Sequence, residues 1–587
     1  MKIIRIIIQN FRGIKDAVLH FEGHTVLVGD NNVGKSTIFE AINLVLGPDR
    51  ISSPNPINEH DFYASSYIDN DGNLKKIYIE VVIGNLSEEQ KRYFKSNLEY
   101  WDNNAKVIIN EPPIEAIESD DVEETLRVCF EGSYNIEDDD FEGRTYYCSP
   151  VETEDGSKIQ FWKNDKRKCG FLYLRALRTG SRALSMESGS LLDIILRLKE
   201  VRPKIWEDVI TQLSGVSVAN DPDLGVSGIL TSLQKAIKEF IPLEWGANPH
   251  LRVSNLTREH LRKTLTVFMA TGVKNGEDAH FAPYTSLGTG TINMLVLALL
   301  SMIADEKNTV IFAMEEPETA IPPYTQKRII DTVRKKSSQA FFTTHSPFVL
   351  EEFEPENILV LKRDNGGNLS GVPFSFPDII KPKAFSLEFR KRFAEALLAR
   401  RVLIAEGKTE TLAYPIAAKR LSQLSHEVYQ SLDSLGIAVF NAETDSQVEA
   451  SADLFKRLGK RVYAVFDNQE DKKVSERIKA VTDIAFESPY KGFEDLLLNE
   501  TQESALRRFV STSIAQGNWP QHLYNRIPTE ASPLEDVKTS LKELFKWAKG
   551  RGDVKLLLWE STLEEMPETI KDVILKLTKD VYPNEQE

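Results

Sequence analysis

Cysteine is nearly absent. The 587 residues contain three, Cys129, Cys148 and Cys169, with no C-x-x-C pair among them. That excludes a disulfide framework and a cysteine-held zinc site, and it makes a reduced, cytoplasmic compartment the expectation. Long apolar runs are missing too: no stretch approaches the ~18 residues that a membrane-crossing helix needs. The opening MKIIRIIIQNFRGIK turns polar quickly and has no small-residue cleavage site, so neither a secretory signal nor a membrane partner is expected. Positive charge is short, with 72 Lys and Arg against 88 Asp and Glu, a net of −16. Taken alone, this argues against a protein coated with phosphate-binding charge. The deficit is local, however. Between Glu111 and Gly156 there are 16 acids and two arginines, a net of 2 − 16 = −14. That segment reads as a solvated, partly disordered insertion, and the nearly neutral remainder is free to carry a basic groove.

What is present suffices for several cores: 41% of residues are apolar, and the length corresponds to about three to five domains. The predicted class is α/β. The β-branched run Lys2–Gln9 predicts a strand and Thr25–Val28 a second, followed by a helix from Ser36 to Leu46 that Gly47 and Pro48 stop. We expect an N-terminal lobe over 1–170 carrying the acidic insertion 111–156, a helical insertion over 171–245, and a second lobe of the same domain over 246–385. The Gly-, Pro- and Asn-rich stretch 364–383 marks a boundary, a second α/β domain spans 395–500, and 501–587 reads as helical.

The motifs name the chemistry. Gly29-Asp30-Asn31-Asn32-Val33-Gly34-Lys35-Ser36 fits G-x-x-x-x-G-K-[ST] between a strand and a helix. Backbone N–H groups around Asn31, Asn32 and Gly34 would wrap the β-phosphate of ATP, Lys35 would reach the β- and γ-phosphates, and Ser36 would hold Mg²⁺, with Thr37 beside it. Far downstream, the apolar strand Val310–Met314 ends in Glu315-Glu316-Pro317-Glu318. Glu315 is placed to order the metal, and Glu316 to polarise the attacking water. FFTTHSP ends a further strand with His345, a candidate contact to the γ-phosphate.

A second constellation follows. The strand Arg401–Ala405 runs into Glu406-Gly407-Lys408-Thr409-Glu410, the strand Val462–Phe466 ends in Asp467, and Glu494-Asp495 precede LLL. Acids at the carboxyl ends of α/β strands are placed to hold one or two divalent cations beside a phosphodiester. Glu406, Glu410, Asp467 and Glu494 are the candidate ligands, with Mg²⁺, Mn²⁺ or another divalent ion as the metal.

About 280 residues separate the P-loop from Glu315-Glu316-Pro317-Glu318, a gap that resembles the SMC/RecF/ABC group of split ATPases. Asn10-Phe11-Arg12-Gly13 resembles the opening of that group, and Ser286-Leu287-Gly288-Thr289-Gly290-Thr291 sits where its signature loop belongs, with G-T-G in place of S-G-G. The resemblance implies a head-to-head pair of lobes in which Gly288 and Gly290 of one copy cap the nucleotide of the other. The order E-G-x-x-E, strand-Asp, late acid resembles the Toprim domain, with Gln469 standing where a second D-x-D acid is usual and Glu470 and Asp471 as possible substitutes. The two together resemble the OLD (overcoming lysogenization defect) family of ATP-dependent nucleases, and its second class, which includes the nuclease subunit of the Gabija anti-phage system. That resemblance implies an ATP-regulated, metal-dependent DNA endonuclease in anti-phage defence. It also implies a homodimer through the ATPase and helical regions, extension to a tetramer, and a helicase or other defence protein as partner. It further implies a basic residue in the tail entering the nuclease site, for which Lys549 is the best local match. The competing reading is an ATP-driven clamp on DNA or a partner, with a catalytically inactive Toprim scaffold.

Overall fold

The computed structural model describes residues 1–48, 56–69, 71–109, 121–150, 156–174, 184, 186, 190–198, 202–215, 231–232, 235, 257–275, 278–306, 310–319, 322–374, 387–548 and 554–583. It divides into two compact units: Met1–Val26, Gly34–Thr344 and Arg363–Leu369 form one, and Leu27–Val33, His345–Lys362 and Ser370–Glu587 the other.

The first unit is built on extended strands. β1 (Lys2–Phe11) is the isoleucine-rich run, and Ile3, Ile6 and Ile8 are fully buried. It pairs antiparallel with β2 (Ile14–His20) on one side and, beyond β3 (Thr25–Val28) in sequence, with β4 (Ile77–Gly84) on the other, Ile8 standing opposite Ala17 and Ile79. β5 (Leu98–Asp102), β6 (Val107–Ile109), β7 (Val122–Asn135) and β8 (Asp140–Tyr147) extend this sheet in the order β6-β5-β7-β4-β1-β2, with β8 on β7.

The acidic segment is therefore not solvated coil where it is described. Leu126, Val128 and Phe130 of β7 are buried, and the acids are relegated to outward positions and to the exposed turn Glu137–Asp140. Alternation of side chains along a strand lets one face be acidic while the other is core. Residues 110–120 and 151–155 of that segment lie outside the described residues.

A parallel trio completes the unit's nucleotide-binding part. β12 (Ile311–Glu315) lies between β9 (Phe171–Leu174) and β13 (Gln339–Thr343), while β10 (Phe268–Asn275) and β11 (Asp278–Pro283) form a separate hairpin. Of the helical insertion expected over 171–245, residues 171–174 are strand, helices cover Leu191–Leu198 and Arg202–Gly215, and most of the rest lies outside the described residues. After β14 (Ile358–Arg363), the expected boundary 364–383 begins instead with a turn in which Asp364 accepts from the backbone of Asn368 at 2.8 Å and opens β15 (Asn368–Pro373). Leu369 of β15 pairs with Ala17 of β2.

The second unit holds a four-stranded parallel sheet. Its order is β17 (Ile437–Asn441), β16 (Arg401–Ala405), β18 (Arg461–Phe466), β19 (Ile484–Glu487). Val402, Leu403, Ile404 and Ala405 are all 0% exposed, as a strand covered on both faces requires. The helix Lys408–Leu424 covers one face. Its Ala417 and Leu421 share a single hydrophobic core with Leu506 and Phe509, with Leu541 and Phe545, and with Leu557 and Ile574. The helical tail is thus one body with the sheet it follows rather than a separate domain.

Candidate functional site

The phosphate loop is shaped by its own backbone. Gly34 adopts φ 121°, a conformation that side chains with a Cβ rarely enter, and Asn32 sits at φ 65°. The helix Lys35–Leu46 starts directly after Gly34 with no side-chain cap and no acid in its first turn. Its N-terminal N–H groups thus present a site suited to an anion. Lys35 is buried, Ser36, Asn31 and Asn32 are exposed, and Thr37 is half-buried.

Glu315 ends β12 and is 9% exposed. Tyr173, in the neighbouring β9, donates its hydroxyl to Glu315 Oε1 at 2.8 Å, and its ring meets Phe39 of the phosphate-loop helix edge-on at 6.1 Å. The phosphate-loop helix and the Glu315 carboxylate are thereby tied through one side chain. Sequence reading missed Tyr173, because only the parallel register Ala313↔Tyr173 sets it beside Glu315. Glu316 takes a left-handed φ of 42° and donates its N–H to Thr343 O at 2.9 Å. Such a conformation in a non-glycine residue stores backbone strain, a frequent property of catalytic positions. His345 is exposed, two residues past β13. Gly288 is exposed with open space around it, and Gly290 lies in the first turn of the helix Thr289–Glu306.

In the second unit the carboxyl ends of all four strands carry a polar residue: Asn441 on β17, Glu406 after β16, Asp467 after β18 and Glu487 on β19. Parallel register aligns them, with Ala405 opposite both Asn441 and Val465, and Phe466 opposite Glu487. Glu406 Oε2 accepts the backbone N–H of Asp467 at 2.9 Å. Glu410, in the first turn of the following helix, folds back over the loop: its Oε2 lies 2.8 Å from where a Cβ on Gly407 would stand, so a side chain there would displace the Glu410 carboxylate. Glu410, Asp467, Glu487 and Ser488 line one small cavity of about 20 Å³ beside Tyr414. Burial, and then the charges of Glu410 and Asp467, push the Tyr414 hydroxyl far above its ordinary pKa.

Glu487 was not expected from the sequence. Burial would push its carboxyl up, but hydrogen bonds from Ser475 and Lys479 and from the Gln469 backbone hold it below the usual range. Gln469, standing where a second acid is usual, donates Nε2 to Asp467 O at 3.1 Å and its N–H to Glu487 Oε1 at 3.4 Å. It bridges the Asp467 backbone carbonyl and the Glu487 carboxylate. Neither suggested substitute takes its place: Glu470 pairs with Lys491 at 2.6 Å, and Asp471 caps the helix Lys472–Val481. Glu494 lies in the first turn of the helix Phe493–Glu500. Lys549 lies outside the described residues.

Among the described residues no three acidic, histidine or cysteine groups are drawn together as a ready-made metal cage. The donor set nevertheless suits a hard divalent cation. It consists of carboxylate oxygens, one of which, on Glu406, accepts the Asp467 N–H.

Residues 1–350 match the AAA ATPase domain family, and residues 397–468 match the overcoming lysogenization defect protein-like TOPRIM domain. Among curated proteins, the Old nuclease of Escherichia phage P2 is 22% identical over 468 residues, covering 73% of this chain and 72% of the relative. Among solved structures, an SMC head bound to the C-terminal winged-helix domain of ScpA is 15% identical with a TM-score of 0.34, over 64% of this chain and 98% of its own. The SMC head domain from Thermotoga maritima is 14% identical with a TM-score of 0.29, over 64% of this chain and 100% of its own. Among the described residues no helix is long and apolar enough to cross a membrane.

Proposed function

This chain belongs to the AAA ATPase domain family and carries an OLD-like TOPRIM domain, a pairing that makes it an ATPase and a nuclease; on that premise we propose that it is a divalent-metal-dependent DNA endonuclease whose cutting is governed by ATP and serves anti-phage defence. The observation that carries the reading is the bond from the Asp467 N–H to Glu406, which fixes one carboxylate at the strand ends where Glu410 and Asp467 also stand.

At the ATPase site, Lys35, Ser36 and Thr37, with the loop amides from Asn31 to Gly34, bind the phosphates. Glu315, held by Tyr173, would hold the metal, and Glu316 would orient the attacking water. His345 contacts the γ-phosphate. The helix that starts at Gly288 and Gly290 serves the nucleotide of a second copy. At the TOPRIM site, Glu406, Glu410 and Asp467 would hold the cation, with Glu494 and Lys549 as further ligand and charge-neutralising group. A bound divalent ion supplies Lewis-acid stabilisation of the phosphodiester oxygens. Glu406 keeps its geometry because one oxygen accepts the backbone N–H of Asp467.

Supercoiled plasmid incubated with the protein and Mg²⁺ or Mn²⁺, with and without ATP, tests this beside Glu406→Ala. Metal-dependent nicking that the substitution removes is the expected result. Gln469 in place of an acid favours one second reading, a DNA clamp with an inactive scaffold. Absence of cutting in every lane, with a biological effect that survives Glu406→Ala, would select it.

A further inference from the structure

The helical tail carries a pocket that the two catalytic sites do not use. It lies between the helices Glu503–Ala515 and Val554–Glu560 and has a volume of about 260 Å³. Phe509 and Leu556 give it apolar lining, and Trp559 forms a wall while staying 40% exposed. An indole left in water on a surface cavity is a stacking platform without its guest. The rim is polar. Asn518 donates Nδ2 to Gln516 Oε1 at 3.1 Å, which leaves one amide donor on Gln516 and one carbonyl acceptor on Asn518 with no hydrogen bond among the described residues. Two cations flank the ring. Lys419 Nζ stands 6.0 Å from the indole centroid, and Lys555 lines the pocket with no ion pair among the described residues.

We propose that this pocket takes an unstacked nucleobase of a DNA strand, with Trp559 stacking on its face, Gln516 and Asn518 meeting its edge, and Lys419 and Lys555 holding the adjoining phosphates. Size decides between a base and a larger guest: drug-sized ligands fill about 300–1,000 Å³, and 260 Å³ suits one ring system. Chemistry decides between a base and an aliphatic chain, because an adjacent donor and acceptor would be left unsatisfied by hydrocarbon. Position gives it a use. The helix Val554–Glu560 packs on Lys408–Leu424, the helix that carries Glu410 near its start and Lys419 nine residues later. At ~1.5 Å per residue that is about 14 Å along the axis, or about four base steps at ~3.4 Å. A strand whose scissile phosphate lay at Glu406 and Glu410 would thus pass the pocket a few nucleotides away. The geometry favours DNA with unpaired bases near the cut. This deepens the nuclease reading and rests on it, yet the binding itself can be measured without cutting.

The test is fluorescence anisotropy in EDTA, at fixed salt, with a labelled duplex carrying a four-nucleotide gap and the same duplex fully paired. Trp559→Ala is expected to weaken the gapped duplex about tenfold and leave the paired one unchanged, since stacking one base on an aromatic ring is worth ~1–3 kcal/mol, or ~5- to 150-fold. Trp559→Phe, which keeps a ring, should restore most of the affinity. Lys555→Ala should weaken both duplexes and lower the salt slope by about one. Equal affinity of Trp559→Ala and wild type for gapped DNA overturns the proposal, and so does an equal loss on both duplexes. Loss in both tryptophan variants together with a lowered Tm assigns the ring to the core instead. If adenosine monophosphate binds through Trp559 while gapped DNA does not, the guest is a free nucleotide and the DNA assignment falls. A wild-type protein that grips gapped DNA through Trp559 but never nicks plasmid sinks the nuclease reading and leaves the pocket standing. Plasmid nicking by Trp559→Ala at unchanged KM on gapped DNA sinks only the pocket.

Discussion

The backbone N–H of Asp467 donates to Oε2 of Glu406 at 2.9 Å across 61 residues of sequence. One carboxylate is therefore fixed by the main chain of the next, and a substitution that keeps the oxygen acceptor can be separated from one that removes it. Glu406→Gln retains an acceptor for that N–H, so its Tm should stay within about 2 °C of wild type, while metal-dependent plasmid nicking falls at least ~100-fold. Glu406→Ala should lose both nicking and some stability. Nicking by Glu406→Gln at the wild-type rate would remove Glu406 from the metal site.

Tyr173 offers a comparable separation at the other site. Tyr173→Phe deletes the donor to Glu315 but keeps the ring against Phe39. ATP should still raise Tm, and hydrolysis should slow by about five- to tenfold, the equivalent of one hydrogen bond at ~1–1.4 kcal/mol. Lys35→Ala should instead abolish the ATP-induced rise in Tm. Steady-state phosphate release and melting curves read both.

Arg508 pairs with Glu565 at 2.5 Å and holds that carboxyl down to about 2, with Ser504 and the Thr562 N–H assisting. A folded value below the ordinary 4.5 adds stability above pH 4.5, and this is lost as the pH falls toward 2. The Arg508 side chain is 40% exposed, so solvent screening reduces the worth of the pair to about 0.2–1 kcal/mol. Urea titrations at pH 7 should show Arg508→Ala weaker by that amount, and the gap from wild type should narrow below pH 4.5. A gap that is constant with pH would mean that packing, not charge, is lost.

Lys166 shifts stability with pH in the same direction, in a more alkaline window. It is 1% exposed, donates Nζ to Leu44 O at 2.8 Å at the end of the phosphate-loop helix, and burial lowers it to about 7. Between pH 7 and 10.5 the unfolded chain binds more protons at this residue than the folded one, so stability should rise with pH through that window. Lys166→Met should flatten the rise. Equal slopes for the two proteins would show that the ammonium stays charged when buried.

The sequence alone determined what depends on short-range backbone rules. The glycine-bearing phosphate loop, the uncapped helix after it, the turn at Gly407 and the order Glu406, Glu410, Asp467 are each legible within a few residues, because local φ/ψ demands and strand ends write them directly. The tertiary structure alone decided what depends on strand register. Tyr173 meets Glu315 142 residues away, Glu487 and Asp467 line one cavity at the strand ends, and Gln469 bridges the Asp467 backbone carbonyl and the Glu487 carboxylate. The acidic segment misled for a related reason. Composition averages over both faces of a strand, and only pairing with β4 revealed that Leu126, Val128 and Phe130 face a core while the acids face outward. Register is set by hydrogen-bond ladders and core packing between segments far apart in the chain, and no local window of sequence contains that information.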